Sequence, residues 1–105
     1  MPDEAFADAF AQNATDEQIA LSKAVQRPIS VKSIQEPAPA PAWKSKPTWY
    51  LLAEQDRMIN PKTQRFMAER MKATVRTFAV DHTPLLTAPE MVADVILEAA
   101  RATLA

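Results

Sequence analysis

Three titratable residues have the types and spacing to do chemistry together: Asp56, Asp81 and His82. A carboxylate that accepts a hydrogen bond from one imidazole nitrogen fixes the ring's tautomer and stabilises the imidazolium, leaving the other nitrogen free as a general base. Asp56 closely follows an apolar run, Thr48-Trp49-Tyr50-Leu51-Leu52-Ala53, that reads as a strand buried on both faces. His82 follows a second, partly alternating strand pattern from Thr74 to Val80. Open α/β sheets place their sites at the carboxyl ends of parallel strands, and adjacent parallel strands would bring Asp56 and His82 together as an arrangement with two of the three parts of a Ser-His-Asp triad. Asp81 is a second candidate acid and ranks below Asp56, because adjacent side chains at a strand end diverge. Pattern alone still favours a plainer reading, in which Asp56 caps a helix and His82 lies on the surface.

Composition narrows what else the chain could do. It has 105 residues, one histidine, no cysteine, nine prolines and no glycine. The length allows one domain, and 48% hydrophobic residues is a globular content. Without glycine, the P-loop, the dinucleotide fingerprint, the EF-hand loop and the G-x-S-x-G elbow are all excluded. One histidine and no cysteine rule out thiolate and multi-histidine metal sites, so no cofactor or metal is expected. The net charge is −1, and the bases form no like-charge block, so no nucleic-acid partner is expected. No apolar run approaches the length of a membrane span. Acids (Asp3, Glu4, Asp8) stand where a signal peptide would carry lysine or arginine, so a cytoplasmic protein is expected.

The elements that must position the pair can be read in order. Residues 1–36 are helical: Ala5, Phe6, Ala9 and Phe10 form one stripe, and Thr15 with Gln18 matches a capping box ahead of Ile19, Leu21 and Val25. Pro28 interrupts the helix, with a short helical piece around Ile29 to Ile34. Residues 37–47, with Pro37, Pro39, Pro41 and Pro47, form a stiff extended connector whose Trp43 is expected to pack back onto the body. Residues 48–105 read as strand, helix, strand, helix. Asn60-Pro61 starts the first of these helices, with Phe66, Met67 and Met71 as its buried stripe. Thr87 and Glu90 suggest a capping box for the last helix, whose apolar face is Met91, Val92, Val95, Ile96, Ala99 and Ala100. This order predicts an α/β fold with two parallel strands. Two strands alone would leave long unpaired edges, so the pattern reads as part of something larger.

Residues 47–104, from Pro-Thr-Trp-Tyr-Leu-Leu-Ala-Glu-Gln-Asp-Arg-Met-Ile-Asn-Pro through His82 and Thr87-Ala88-Pro89-Glu90-Met91-Val92, resemble the C-terminal end of the α/β-hydrolase superfamily, in particular bacterial carboxylesterase-like members. The resemblance implies a partial α/β-hydrolase fold: two parallel strands with flanking helices, preceded by a helical cap-like segment over residues 1–36. By the same resemblance, Asp56 matches the triad acid and His82 the triad base. Ala53 stands where many relatives have glycine before the acid, and Lys72 where a helix-ending glycine is common. Met58, just after the acid, is expected to face the substrate pocket.

The departures define the expected function. The nucleophile elbow and the upstream His-Gly oxyanion segment are both missing. Ser22, Ser30, Ser33 and Ser45 all precede the acid, but none lies on a strand-to-helix turn. The chain therefore resembles an esterase fragment, whose parent hydrolyses small carboxylic esters through an acyl-enzyme and which is expected to be inactive alone. Its expected partner is an N-terminal hydrolase fragment or a second copy of itself. The alternative is a small non-catalytic interaction module that pairs through its strand edge or helical segment. The two readings separate at the gene: the fragment reading expects the neighbouring upstream reading frame to encode a strand, G-x-S-x-G and a helix, and sequencing of that frame checks it.

Overall fold

The computed structural model describes residues 2–104. The Phe6/Phe10 stripe folds as one turn, α1 (Asp3–Ala5), that widens into a π-helical turn over Phe6–Phe10, closed by the Ala11 N–H on the Phe6 carbonyl at 2.9 Å. Helix α2 (Asp16–Val25) starts at the expected capping box, in which Thr15 Oγ1 accepts from the Gln18 N–H at 3.1 Å and Gln18 Oε1 accepts from the Thr15 N–H at 3.0 Å. Helix α3 (Val31–Gln35) follows, N-capped by Ser30. The proline-rich stretch is irregular until a 3₁₀ turn at Ala42–Lys44. There Trp43 packs back as expected: its ring lies 5.2 Å from the Arg70 guanidinium and 5.7 Å from the Lys44 ammonium, both cation–π distances.

Strands β1 (Trp49–Ala53) and β2 (Thr74–Phe78) pair in parallel, with Trp49 opposite Thr74 and Ala53 opposite Phe78. Helix α4 (Pro61–Arg70) connects them. Asn60 caps it by accepting the Lys62 N–H at 2.8 Å, and Pro61 sits at the first turn, where its missing N–H costs nothing. The helix ends without glycine. Lys72 takes the left-handed conformation, φ 52°, while the Ala73 N–H reaches the Ala68 carbonyl and the Lys72 N–H the Glu69 carbonyl, each at 3.0 Å. That pair of bonds is the Schellman motif, formed here with lysine at the position glycine usually takes. A short helix α5 (Pro84–Thr87) and the closing helix α6 (Pro89–Thr103) complete the chain. The core is small: Ala53, Val80 and Ala88, with Leu51, Phe78 and Met91 packed around them.

The structure corrects three sequence expectations. Strand β1 is not buried on both faces: only Leu52 and Ala53 are buried, and Trp49, Tyr50 and Leu51 are partly exposed. The buried stripe of α4 runs through Gln64, Met67, Ala68 and Met71, which leaves Phe66 62% exposed. The Thr87–Glu90 capping box does not form. Ala88 is the N-cap of α6, and the Thr87 hydroxyl is bonded to Asp81 instead.

Large apolar residues on α2, α3, α4 and α6 remain uncovered, among them Leu21, Val25, Ile34, Phe66 and Ile96. The radius of gyration is correspondingly large, 15.5 Å, against about 13 Å for a compact domain of this length. No helix among the described residues is long and apolar enough to cross a membrane.

A non-glycine residue in the left-handed region costs roughly 1–2 kcal/mol, and glycine's greater freedom in the unfolded chain offsets part of the relief. Lys72→Gly is therefore expected to stabilise the fold by about 0.5–1 kcal/mol and Lys72→Val to destabilise it, both measured by urea unfolding.

Candidate active site

The β ladder continues past the strands. The Glu54 N–H bonds the Phe78 carbonyl and the Gln55 N–H bonds the Val80 carbonyl, both at 3.0 Å. Glu54 and Gln55 form a turn, closed by the Asp56 N–H on the Ala53 carbonyl at 3.3 Å, that brings the chain to Asp56 beside the segment leading from Val80 to His82. His82 Nδ1 lies 2.9 Å from Asp56 Oδ2. Asp56 is nearly buried, with 6% of its side chain exposed, whereas 30% of the His82 side chain is exposed. Oδ1 of Asp56 accepts the backbone N–H groups of Met58 at 2.7 Å and Ile59 at 2.8 Å, so the carboxylate is held by its own turn. With Nδ1 donating to the carboxylate, Nε2 carries a free lone pair, and no hydrogen bond among the described residues occupies it.

Asp81 does not face the imidazole. It is fully buried, and every partner is a donor: the Asn13 N–H on Oδ2 at 3.0 Å, and on Oδ1 the Thr83 N–H at 2.9 Å, the Thr83 hydroxyl at 3.1 Å and the Thr87 hydroxyl at 2.9 Å. Burial pushes its pKa up, but these bonds outweigh burial and hold the carboxyl below its ordinary value. Asp81 thereby ties the histidine loop to the N-terminal segment. Further bonds tie the same segment to the Asp56 turn, from Asn13 Nδ2 to Gln55 Oε1 at 2.9 Å and from the Arg57 guanidinium to the Asp8 carbonyl at 2.6 Å. The result places the Phe10 ring 5.3 Å from the His82 ring, tilted at 55°, with Phe6 4.9 Å behind it.

A cavity of about 750 Å³ opens beside the pair. Asp56 and His82 lie in its wall with Phe6, Phe10, Tyr50, Ile59, Met67, Leu86 and Val92, so it is mainly apolar with one acid–base pair. Burial, and then the charge on Asp56, hold the Tyr50 phenol above its usual pKa. Met58 does not line this cavity. It points outward, 44% exposed, and Ile59 and Met67 take the place expected of it. Ser22 lines the cavity, but no hydrogen bond joins it to His82. Among the described residues, no three His, Asp or Glu side chains group to hold a metal.

Sequence reasoning missed two contributors. Gln64 bonds the acid from the buried face of α4; its signal was a polar residue on the i, i+3, i+4, i+7 stripe with Met67, Ala68 and Met71. Asn13 contributes a backbone N–H, for which the sequence carries no signal.

The structure is an α/β layer with parallel strands and a carboxylate–imidazole pair at their carboxyl ends, where open α/β sheets place their sites. The family model of the alpha/beta hydrolase family matches residues 1–95, and the chain belongs to that family. No curated protein matches it. Among solved structures it is similar to polyneuridine aldehyde esterase, at 21% identity and a TM-score of 0.81 over 94% of this chain. A histidine-to-alanine mutant of that esterase matches at 20% identity with the same TM-score. At these identities the likeness is one of fold. This chain spans 41% of the length of either structure.

Asp81→Asn keeps the shape but turns an NH₂ group toward the Asn13 N–H, so it is expected to lower stability by about 1–3 kcal/mol, measured by chemical denaturation. Because the folded-state pKa lies below the ordinary 3.8, the contribution of Asp81 is full above pH 3.8 and is lost as the pH falls through the lower folded value. The Asn variant is expected to lack that acid-dependent loss.

Proposed function

We propose that this chain supplies the acid and the base of a carboxylic-ester hydrolase site, with Asp56 as the acid and His82 as the base. The 2.9 Å contact between His82 Nδ1 and Asp56 Oδ2 in the wall of an apolar cavity carries this reading. The carboxylate holds the imidazole in the tautomer that leaves Nε2 unprotonated. Nε2 takes the proton of a serine hydroxyl as that oxygen attacks the ester carbonyl, and gives it to the departing alcohol as the acyl-enzyme forms. Asp56 stabilises the imidazolium in between. Water then repeats the sequence and releases the acid.

The serine and the oxyanion donors come from a polypeptide that carries the glycine-dependent elbow, since the 105 residues contain no glycine. Residues 1–36 act as a cap-like segment that contributes Phe6 and Phe10 to the pocket, residues 37–47 as the connector, and residues 48–105 as the unit bearing the pair. The substrate is a small ester whose apolar part fills the cavity. By itself the chain forms no acyl-enzyme.

The test is hydrolysis of a chromogenic acyl ester by the chain alone and after mixing with an N-terminal hydrolase fragment carrying G-x-S-x-G. The chain alone is expected to match its His82→Ala variant. In the mixture, His82→Ala and Asp56→Asn are each expected to reduce kcat by about 10³–10⁴-fold. Hydrolysis by the chain alone that survives His82→Ala would sink the proposal.

A further inference from the structure

Gln64 is 3% exposed, on the face of α4 that packs against β1, where an unpaired amide would be costly. Its amide is fully used. Oε1 accepts the Ala53 N–H at 3.0 Å, while Nε2 faces the Ala53 carbonyl at 3.1 Å, the Ile59 carbonyl at 3.0 Å and Asp56 Oδ2 at 3.4 Å. The amide can point only one way, because its nitrogen meets three oxygens and its oxygen meets an N–H. Two N–H groups serve three acceptors, so the carboxylate takes the longest, shared contact.

Glu54 directs its N–H to β2, and successive strand residues point to opposite edges, so the N–H and carbonyl of Ala53 face away from β2. Gln64 bonds both, and shares the carbonyl with the Asp56 N–H, which reaches it at 3.3 Å. It also grips the Ile59 carbonyl at the far end of the Asp56 turn. The end of β1, the turn and the carboxylate are thus joined through one buried amide.

We infer that Gln64 is the positioning residue of the acid, holding Asp56 Oδ2 on His82 Nδ1. The inference rests on the acid–base reading of that pair. His82 is the chain's single histidine, so its imidazole gives an unambiguous NMR signal. In the unaltered chain, the Gln64 side-chain amide protons are expected to exchange with solvent at least about tenfold more slowly than other side-chain amides, and the His82 Nδ1 proton to resolve downfield. Gln64→Met keeps the bulk without donors, and Gln64→Glu keeps the shape without N–H groups. Both are expected to lose the Nδ1 proton signal, or to exchange it at least about tenfold faster, while the Leu52 and Val80 methyl signals stay dispersed.

Retention of the signal in Gln64→Met would show that the Met58 and Ile59 N–H groups and packing hold the acid without Gln64, and would overturn the inference. Absence of the Nδ1 signal in the unaltered chain overturns it too. Should both variants fail to fold, fast exchange of the Gln64 amide in the unaltered chain overturns it and slow exchange supports it. The readout needs no ester, so missing hydrolysis with a Gln64-dependent imidazole signal counts against the esterase reading alone.

Discussion

The parallel register of β1 and β2 is the constraint on which the site depends. With Ala53 opposite Phe78, the backbone bonds from Glu54 to Phe78 and from Gln55 to Val80 carry the two chains forward in step. Asp56 and His82 leave the sheet side by side for that reason. Each loop is then fixed by its own polar anchor: the Asp56 turn by Met58, Ile59 and Gln64, and the histidine loop by Asp81. A slip in the strand pairing would separate the carboxylate from the imidazole, whatever the side chains.

Polar and apolar groups are treated very differently in this fold. Among the described residues, the two buried polar ones, Gln64 and Asp81, each have a full set of partners, and Gln12 Oε1 is the one buried side-chain oxygen without one. Apolar surface is left open. Phe66, Ile96 and the exposed residues of α2 and α3 have no cover, and β1 has one neighbour where its composition suits two. The carboxylate–imidazole pair is held by a dense polar network on a core that leaves much apolar surface bare. Coverage of 41% of the similar esterase structures agrees with that contrast, since an unpaired strand and bare helix faces are what a portion of a larger sheet would present.

Much of this was legible in the residues. The Thr15–Gln18 box, the Asn60-Pro61 helix start and the apolar run into β1 are local signals, and each formed where the pattern put it. The failures share one cause. Phe66 was assigned to the core because it is large and apolar, yet helix rotation set the buried stripe through Gln64 instead. Thr87 matched a cap, but the buried carboxylate of Asp81, six residues earlier, made a stronger claim on its hydroxyl. Met58 was placed in the pocket by adjacency to the acid, whereas the turn that bonds Asp56 to its own N–H points it outward.

The sequence by itself determined which chemistry this chain can and cannot carry. One histidine, no cysteine and no glycine leave one imidazole, no thiolate and no elbow, whatever the fold. It also determined the order of strands and helices, because periodicity and caps act over a few residues. The sequence ranks Asp56 above Asp81 as the partner of His82, and only the tertiary structure decided where each carboxylate goes. Asp81 is beside His82 in the chain but turns into the protein toward four donors, while Asp56, 26 residues away, meets the ring. Neighbours in sequence diverge at a strand end, and distant residues converge only when parallel pairing and buried hydrogen bonds bring their loops together.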